Sequence, residues 1–136
     1  MFVLVIEDTV QDRAIVEDAL EDIGVTDVKT VIDGGHAIDF LAESLSSGKP
    51  VPDAVLLDLN LPLVSGHEVL RFCKMNPQLK GMRVIVLSRL SSDNEIQVCY
   101  YMGATKYISK TSDPLHLKRE LQSALSSGSQ AVDRAG

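Results

Sequence analysis

Five short apolar runs recur along the chain, separated by longer segments with helical periodicity. The runs are continuous rather than alternating, which is typical of strands buried on both faces of a sheet. They occupy residues 3–6, 28–31, 54–57, 84–87 and 104–108. The second run contains the polar residues Lys29 and Thr30, which favour an edge position for that strand.

The segments between the runs carry apolar residues three and four positions apart, as on one face of a helix. Ser92 with Glu95 resembles a capping box, and Asp113 followed by Pro114 is a typical helix start. The expected buried faces are Ile15, Val16, Ala19, Leu20 and Ile23; Ala37, Ile38, Leu41, Ala42 and Leu45; Val69, Leu70 and Cys73; Ile96, Cys99 and Tyr100; and Leu117, Leu121, Ala124 and Leu125. Five strands alternating with five helices predict an α/β fold with a parallel sheet covered on both faces.

Length and composition are those of one globular domain. The 136 residues are 45% hydrophobic and 24% charged, and we predict one domain over residues 1–127 with a flexible polar tail at 128–136. The net charge of −6 and the scattered Lys and Arg argue against a nucleic-acid partner. No apolar run approaches the ~20 residues of a membrane span, and no signal peptide is expected. Cys73 and Cys99 are expected to be buried free thiols of a cytoplasmic protein.

Polar side chains follow four of the five predicted strands. Glu7 and Asp8 follow the first, Asp58 the third, Ser88 the fourth and Lys110 the fifth. Each has a structural alternative, namely helix N-terminal acids, an Asx turn, a loop cap and a surface lysine, respectively. Open α/β sheets bind ligands beyond the carboxyl ends of their strands. We therefore predict that these five residues share one site.

The chemistry of such a group suits the handling of phosphate. Three neighbouring carboxylates repel one another, and a divalent cation removes that repulsion. An all-oxygen ligand set with space for water favours Mg²⁺. Lys110 supplies a balancing charge, Ser88 a hydrogen-bond donor, and Asp58 a nucleophile at the end of a buried strand.

Four motifs resemble those of response-regulator receiver domains of two-component signalling. They are IED after the first strand, LLDLNLP with Gly66 four residues later, VLS at the fourth strand and YISK at the fifth. The resemblance implies a flavodoxin-like (βα)5 fold with strand order 2-1-3-4-5. It also implies phosphorylation of Asp58 by a sensor histidine kinase, and a Mg²⁺ site formed by Glu7, Asp8, Asp58 and the main-chain carbonyl of Asn60.

The same resemblance assigns further roles to residues of the fourth and fifth strands. Ser88 would contact the phosphoryl group, Lys110 would pair with it, and Tyr107 would be an aromatic switch that turns inward when Ser88 moves. Output would pass to a downstream protein or phosphotransfer partner through helix 4, strand 5 and helix 5, with Tyr100, Tyr101, His116 and Arg119 on that face.

Two residues depart from the family pattern. Thr111 follows Lys110 where proline is usual, so we expect a less rigid placement of the lysine. Arg89 follows Ser88 where a small residue is usual, and a long cation there either obstructs the phosphoryl donor or holds the phosphoryl group.

The stretch FLAESLSSGKPVPDAVLLDLNLP together with LKGMRVIVLS is similar to single-domain regulators paired with bacterial phytochrome kinases. This finer resemblance implies a bacteriophytochrome as kinase and includes a homodimer through the helix 4, strand 5 and helix 5 face among the expectations.

Three other functions fit the sequence less well. A haloacid-dehalogenase-type phosphatase needs a second Asp where Asn60 stands. A flavodoxin-like cofactor binder needs a phosphate cradle and a stacking aromatic, and the chain has no Trp. A degenerate receiver that binds proteins without phosphorylation is the main alternative, favoured only by Arg89 and Thr111. We expect a phosphoacceptor signalling protein rather than an enzyme.

Overall fold

The computed structural model describes residues 1–89, 92–110 and 113–126. Strands and helices alternate along the whole of this part of the chain. They are β1 (Phe2–Ile6), α1 (Val10–Asp22), β2 (Asp27–Val31), α2 (Gly34–Ser47), β3 (Ala54–Asp58), α3 (Gly66–Met75), a short 3₁₀ turn (Pro77–Leu79), β4 (Arg83–Ser88), α4 (Asp93–Tyr101), β5 (Lys106–Ser109) and α5 (Pro114–Ser126).

The five strands form one parallel sheet in the order β2-β1-β3-β4-β5. The predicted fold class and strand order are therefore confirmed, as is the edge position of β2. The chain places β2 on the outer side of β1, and then places β4 and β5 on the outer side of β3. The winding thus reverses between these two central strands, and their carboxyl ends form the crevice in which such sheets bind ligands.

Helices cover both faces of the sheet, and each face has its own apolar core. On one face α1 and α5 pack on the sheet through Val16, Leu20, Leu117 and Leu121. On the other face lie α2, α3 and α4, whose buried residues include Leu41, Leu70, Cys73 and Cys99. Both cysteines are buried and free, as expected. No helix in the described residues is long and apolar enough to span a bilayer.

The fifth strand begins later than its apolar run indicated. Gly103, at a φ of 106°, ends α4, and the Ala104 amide donates to the Cys99 carbonyl at 3.0 Å. Ala104 thus completes the helix end instead of starting the strand. The Thr105 amide makes the first bond to β4, at 2.7 Å from the Val84 carbonyl. A small apolar residue fits either place, so the pattern alone did not separate them.

Helix caps follow the sequence with one addition. The Ser92 side chain accepts from the Glu95 amide, and the Asp113 carboxylate accepts from the Leu115 amide at 3.1 Å. The complete capping box lies at α3, where Ser65 and Glu68 bond each other's backbone amides. We did not predict that box, although the Ser-x-x-Glu spacing carries its signal.

Three expected helix-face residues lie outside the core. Ile15, Ala42 and Tyr100 are exposed, whereas Val16, Leu41 and Cys99 beside them are buried. The predicted stripes were one residue too wide. The division between domain and tail at residue 127 falls outside the described residues and stays a prediction.

Candidate functional site

Three carboxylates meet at the carboxyl ends of the two central strands. Glu7 and Asp8 follow β1, and Asp58 is the last residue of β3. One oxygen from each lies within 4.8 Å of the others. Glu7 and Asp58 are 1% and 4% exposed, whereas Asp8 is half-buried. Parallel pairing of β1 with β3 brings together groups that are fifty residues apart in the sequence, as predicted.

The turn after β3 fixes the direction of the Asp58 side chain. The Asn60 amide donates to Asp58 Oδ1 at 3.0 Å, so the Asx-turn alternative is also realised. Gly66 packs against this turn, and a Cβ there would lie 2.7 Å from both the Asp58 carbonyl oxygen and the Leu59 Cα. Only glycine fits without displacing backbone, which explains the spacing of Gly66 from LLDLNLP.

Lys110 directly follows β5, the edge strand opposite β2, and its side chain extends to this cluster. Its amide donates to the Ser88 carbonyl at 2.7 Å, which continues the β4–β5 pairing to the site. Its Nζ lies 2.7 Å from Glu7 Oε1 and 3.5 Å from Asp58 Oδ2. Burial opposes the charged ammonium, but bonds to Glu7 and Asp12 outweigh burial and raise the pKa of Lys110 above its usual value. The lysine therefore stays charged among the carboxylates.

Glu7 is buried, and only one of its two carboxylate oxygens has a partner in the described residues. Desolvation raises the pKa of Glu7 to about 7, with the Asp58 carboxyl adding to this and Lys110 opposing it. Its second oxygen, Oε2, is buried without a hydrogen-bond partner among the described residues. A buried polar atom left unbonded costs about 1–3 kcal/mol. The cluster of Glu7, Asp8 and Asp58 thus fits a divalent cation, which would supply the missing positive charge.

The structure adds Asp12 to the site and pairs it with Arg89, a contact that the sequence did not predict. Asp12, in the first turn of α1, lies 3.0 Å from Lys110 Nζ through Oδ2 and 2.5 Å from Arg89 Nη2 through Oδ1. Burial opposes ionisation of Asp12, but the two cations lower its pKa below the usual value. Its position four residues before Val16 continues the buried stripe of α1. A carboxylate on an apolar helix face was the signal that could have identified it.

Arg13 supports the loop that carries two of the carboxylates. Its Nη1 donates to the carbonyl oxygens of Glu7 and Asp8, both at 3.2 Å. This residue was also missed, because side-chain contacts to backbone carbonyls leave no pattern in a sequence.

Ser88 and Tyr107 lie along β4 and β5 behind the carboxylates. Ser88 is 1% exposed at the end of β4. Tyr107 is half-buried, and its hydroxyl is buried without a hydrogen-bond partner of standard geometry in the described part of the chain. Burial raises the pKa of the Tyr107 phenol, and the nearby Ser88 hydroxyl opposes the rise. The Tyr107 amide donates to the Tyr100 hydroxyl at 3.0 Å, which ties β5 to α4.

Asn60 is exposed beside the cluster, and Asp33 lies to one side, where it caps α2 and pairs with His36 at 2.8 Å. Tyr100, Tyr101, His116 and Arg119 are exposed on α4 and α5, as the proposed output face requires, although Tyr100 was also expected on a buried face. Thr111, the second departure from the family pattern, lies outside the described residues.

Comparison with known proteins agrees with this arrangement. The family described as "Response regulator receiver domain" matches residues 3–122. The chain is 33% identical over 121 residues to the probable methanogenesis regulatory protein FilR2 of Methanothrix harundinacea, covering 88% of this chain and 78% of that protein. It is 32% identical over 111 residues to response regulator Rcp1 of Synechocystis, covering 80% and 76%.

Solved structures give the same result. The phosphorylated cyanobacterial phytochrome response regulator RcpA superposes with a TM-score of 0.80 at 32% identity, covering 92% of this chain and 94% of that one. The Mn²⁺-bound form of Rcp1 gives a TM-score of 0.74 at 31% identity, covering 89% and 88%.

The α/β sheet with an acidic cluster at its carboxyl edge defines a two-component signalling domain, and the chain belongs to the response regulator receiver domain family. Domains of this family accept phosphoryl groups and bind a divalent metal at their acidic pocket.

Proposed function

We propose that this protein is a response regulator that accepts a phosphoryl group on Asp58 from a sensor histidine kinase and signals through changed protein contacts. The supporting observation is the environment of Asp58. Its carboxylate ends a buried strand, is oriented by the Asn60 amide, and shares a cluster with Glu7 and Asp8 while lying 3.5 Å from Lys110.

In the proposed transfer an Asp58 oxygen attacks the phosphorus of a phosphohistidine. The new P–O bond forms as the P–N bond breaks, and the electron pair returns to the imidazole nitrogen of the kinase. Lys110 carries a positive charge beside the developing acyl phosphate, and Ser88 at the end of β4 donates to a phosphoryl oxygen. Such preorganised charge is the main device of phosphoryl-transfer sites.

Glu7, Asp8, Asp58 and the carbonyl of Asn60 would hold the metal, and we infer that it is Mg²⁺. Oxygen-only ligands and a phosphoryl substrate favour this ion. When bound, it neutralises carboxylate charge near the phosphoryl oxygens. The partnerless Glu7 Oε2 supports a cation at this place.

The similarity to the phytochrome response regulator RcpA supports a bacteriophytochrome as the kinase. We infer a cytoplasmic location from that proposed role. The exposed face of α4, β5 and α5 is the proposed surface for a downstream protein, a phosphotransfer partner or a second copy of the chain. We propose no catalytic output of its own beyond assistance to phosphoryl gain and loss.

A degenerate receiver is the competing function, favoured by one observation. Arg89 pairs with Asp12, and Lys110 lies closer to Asp12, at 3.0 Å, than to Asp58, at 3.5 Å. Incubation with acetyl phosphate and Mg²⁺, followed by intact mass, separates the two functions.

We expect one phosphoryl group on the wild type and none on Asp58→Asn. Asp39→Asn, which removes an exposed carboxylate of α2, is the matched control and should be labelled like the wild type. Equal labelling of the wild type and Asp58→Asn would remove Asp58 from this role. An unlabelled wild type would favour the degenerate receiver.

Metal dependence gives a second test. Labelling should be lost in excess chelator, and Asp8→Asn should bind Mg²⁺ at least ~10-fold more weakly than the wild type. Glu7→Gln should have a smaller effect, since the family resemblance puts a water between Glu7 and the metal. Wild-type affinity in Asp8→Asn, measured by calorimetry, would contradict the site.

Output is tested with beryllofluoride, which mimics the phosphoryl group. Sedimentation of the wild type should change on its addition, whereas Ser88→Ala should be labelled more slowly and show a smaller change. Occupancy of the site without any change in self-association or in retained partners would remove the switch from the proposal.

A further inference from the structure

The site contains one more carboxylate and one more cation than the proposed phosphoryl transfer uses. Besides Asp58, the site has the carboxylates of Glu7, Asp8 and Asp12 and the cations Lys110 and Arg89. Asp12 is the only one of these carboxylates that contacts both cations in the described residues, and it lies outside the three-carboxylate cluster. Its role is therefore separate from metal binding.

Asp12 competes directly with Asp58 for Lys110. Lys110 Nζ lies 3.0 Å from Asp12 Oδ2, closer than the 3.5 Å to Asp58 Oδ2. The Asp12 side chain is 11% exposed and that of Lys110 is 9% exposed, so this contact is poorly screened by water. Close charges with little solvent between them interact far more strongly than surface pairs.

The other oxygen of Asp12 holds Arg89. This arginine directly follows Ser88, the residue proposed to contact the phosphoryl group, and its guanidinium bonds Asp12 at 2.5 Å. The pair joins the loop after β4 to α1, and β3 lies between β4 and β1 in the sheet. The Arg89 side chain is 56% exposed, so it needs little repacking to move.

We propose that Asp12 is a positioning residue that holds Arg89 and Lys110 as counter-charges away from Asp58, and thereby limits both the gain and the lifetime of the phosphoryl group. This inference rests on the proposed phosphorylation of Asp58. A phosphoryl group brings more negative charge than one carboxylate and draws the two cations away from Asp12.

The consequences follow from charge. Without the Asp12 carboxylate the site repels an anionic donor less, and both cations are available to the phosphoryl oxygens. Arg89 at those oxygens shields the phosphorus from water. Phosphoryl gain becomes faster and loss slower, and the slower loss depends on Arg89.

The test measures phosphoryl gain from acetyl phosphate and loss after donor removal, by intact mass at saturating Mg²⁺. The variants are Asp12→Asn, Arg89→Ala and the double variant, with Asp18→Asn as a control that removes an exposed carboxylate from the same helix. Asp12→Asn should gain phosphoryl at least about two- to fivefold faster, the upper part of the range for an exposed ion pair. It should also lose phosphoryl more slowly, and the slower loss should disappear in the double variant.

Arg89→Ala alone should slow phosphoryl gain relative to the wild type, because Asp12 then pairs with Lys110 alone. Raising the salt concentration should shrink the part of these differences that depends on the exposed Arg89, whereas the buried Asp12–Lys110 pair is screened much less. A packing defect from Asp12→Asn would slow gain and would not depend on Arg89 or salt.

The proposed function and this inference fail differently. A wild type that takes no label overturns phosphorylation itself. A wild type labelled on Asp58, with Asp12→Asn matching Asp18→Asn in gain and loss, overturns only the role of Asp12. Equal lifetimes for Asp12→Asn and the double variant would overturn the part played by Arg89.

Discussion

The rim around Asp58 and the surface formed by α4 and β5 are held in different ways. At the rim Glu7, Asp58 and Ser88 are at most 4% exposed, and charged atoms are in direct contact. On α4 the side chains of Tyr100 and Tyr101 are 45% and 81% exposed. A change of charge at the rim therefore acts on buried groups that are in direct contact. The α4 surface that would transmit the change is held to the rest of the protein by fewer buried side chains.

The two helices beside β5 show the same contrast. Helix α5 buries Leu117, Leu121, Ala124 and Leu125, whereas α4 buries only Cys99. Polar contacts supplement this attachment of α4. The Tyr100 hydroxyl accepts from the Tyr107 amide, and the Tyr101 carbonyl accepts from Lys74 Nζ at 3.0 Å.

A helix with one buried side chain needs little free energy to shift, because few apolar contacts must be broken. Elements that move in signalling come from the weakly held part of a structure. We therefore expect α4, rather than α5, to be the element that shifts if Asp58 is phosphorylated.

The largest effect separates α5 from α4 by stability. Leu121→Ala, at a fully buried position of α5, should lower the free energy of unfolding by about 2–5 kcal/mol because it leaves a cavity. Val98→Ala, at a 38% exposed position of α4, should lower it by less than ~1 kcal/mol. Urea denaturation measures both, and similar losses would break the contrast.

The next effect tests the charge coupling at the rim. The pKa of Glu7 in the folded protein, about 7, lies above the 4.5 of a glutamate in the unfolded chain. Between these pH values native Glu7 holds a proton that the unfolded chain has released. Without metal, the free energy of unfolding should therefore fall as pH rises from about 4.5 to 7, by at most ~3 kcal/mol.

Asp58 and Lys110 face Glu7 directly, and Asp12 faces Lys110. Asp12, with a lowered pKa, and Lys110, with a raised pKa, titrate outside this window. Saturating Mg²⁺ should stabilise the protein more at pH 8 than at pH 5, because it binds ionised carboxylates. Denaturation at several pH values checks this, and Glu7→Gln should flatten the metal-free profile. A profile that rises through the window would contradict the burial of Glu7.

The smallest effect concerns the polar attachment of α4. Tyr100→Phe removes the hydroxyl that accepts from the Tyr107 amide and should cost about 0.5–1.5 kcal/mol. Tyr101→Phe is the matched control on the same helix and should change stability by less than ~0.5 kcal/mol. Hydrogen exchange at the Tyr107 amide should accelerate in Tyr100→Phe alone, and equal rates in the two variants would exclude this attachment.

The sequence by itself determined the elements and the main chemistry of the rim. Apolar runs and helical stripes indicate five strands and five helices. A strand buried on both faces leaves a continuous apolar run, whereas a helix buried on one face leaves apolar residues three and four positions apart. Carboxylates after strands one and three, and a lysine after strand five, predict a shared site, since parallel strands end at one edge. Where a residue suits two environments, as Ala104 and Ile15 do, the pattern placed it wrongly.

Only the tertiary structure decided which charges pair. Lys110 and Asp12 are 98 positions apart, and Arg89 and Asp12 are 77 apart. Their contact depends on where α1, the end of β5 and the loop after β4 meet above the sheet. The partnerless Glu7 Oε2 and the Arg13 bonds to loop carbonyls likewise depend on distances in space. Coulomb and hydrogen-bond energies change over tenths of an ångström, a scale that the order of residues does not encode.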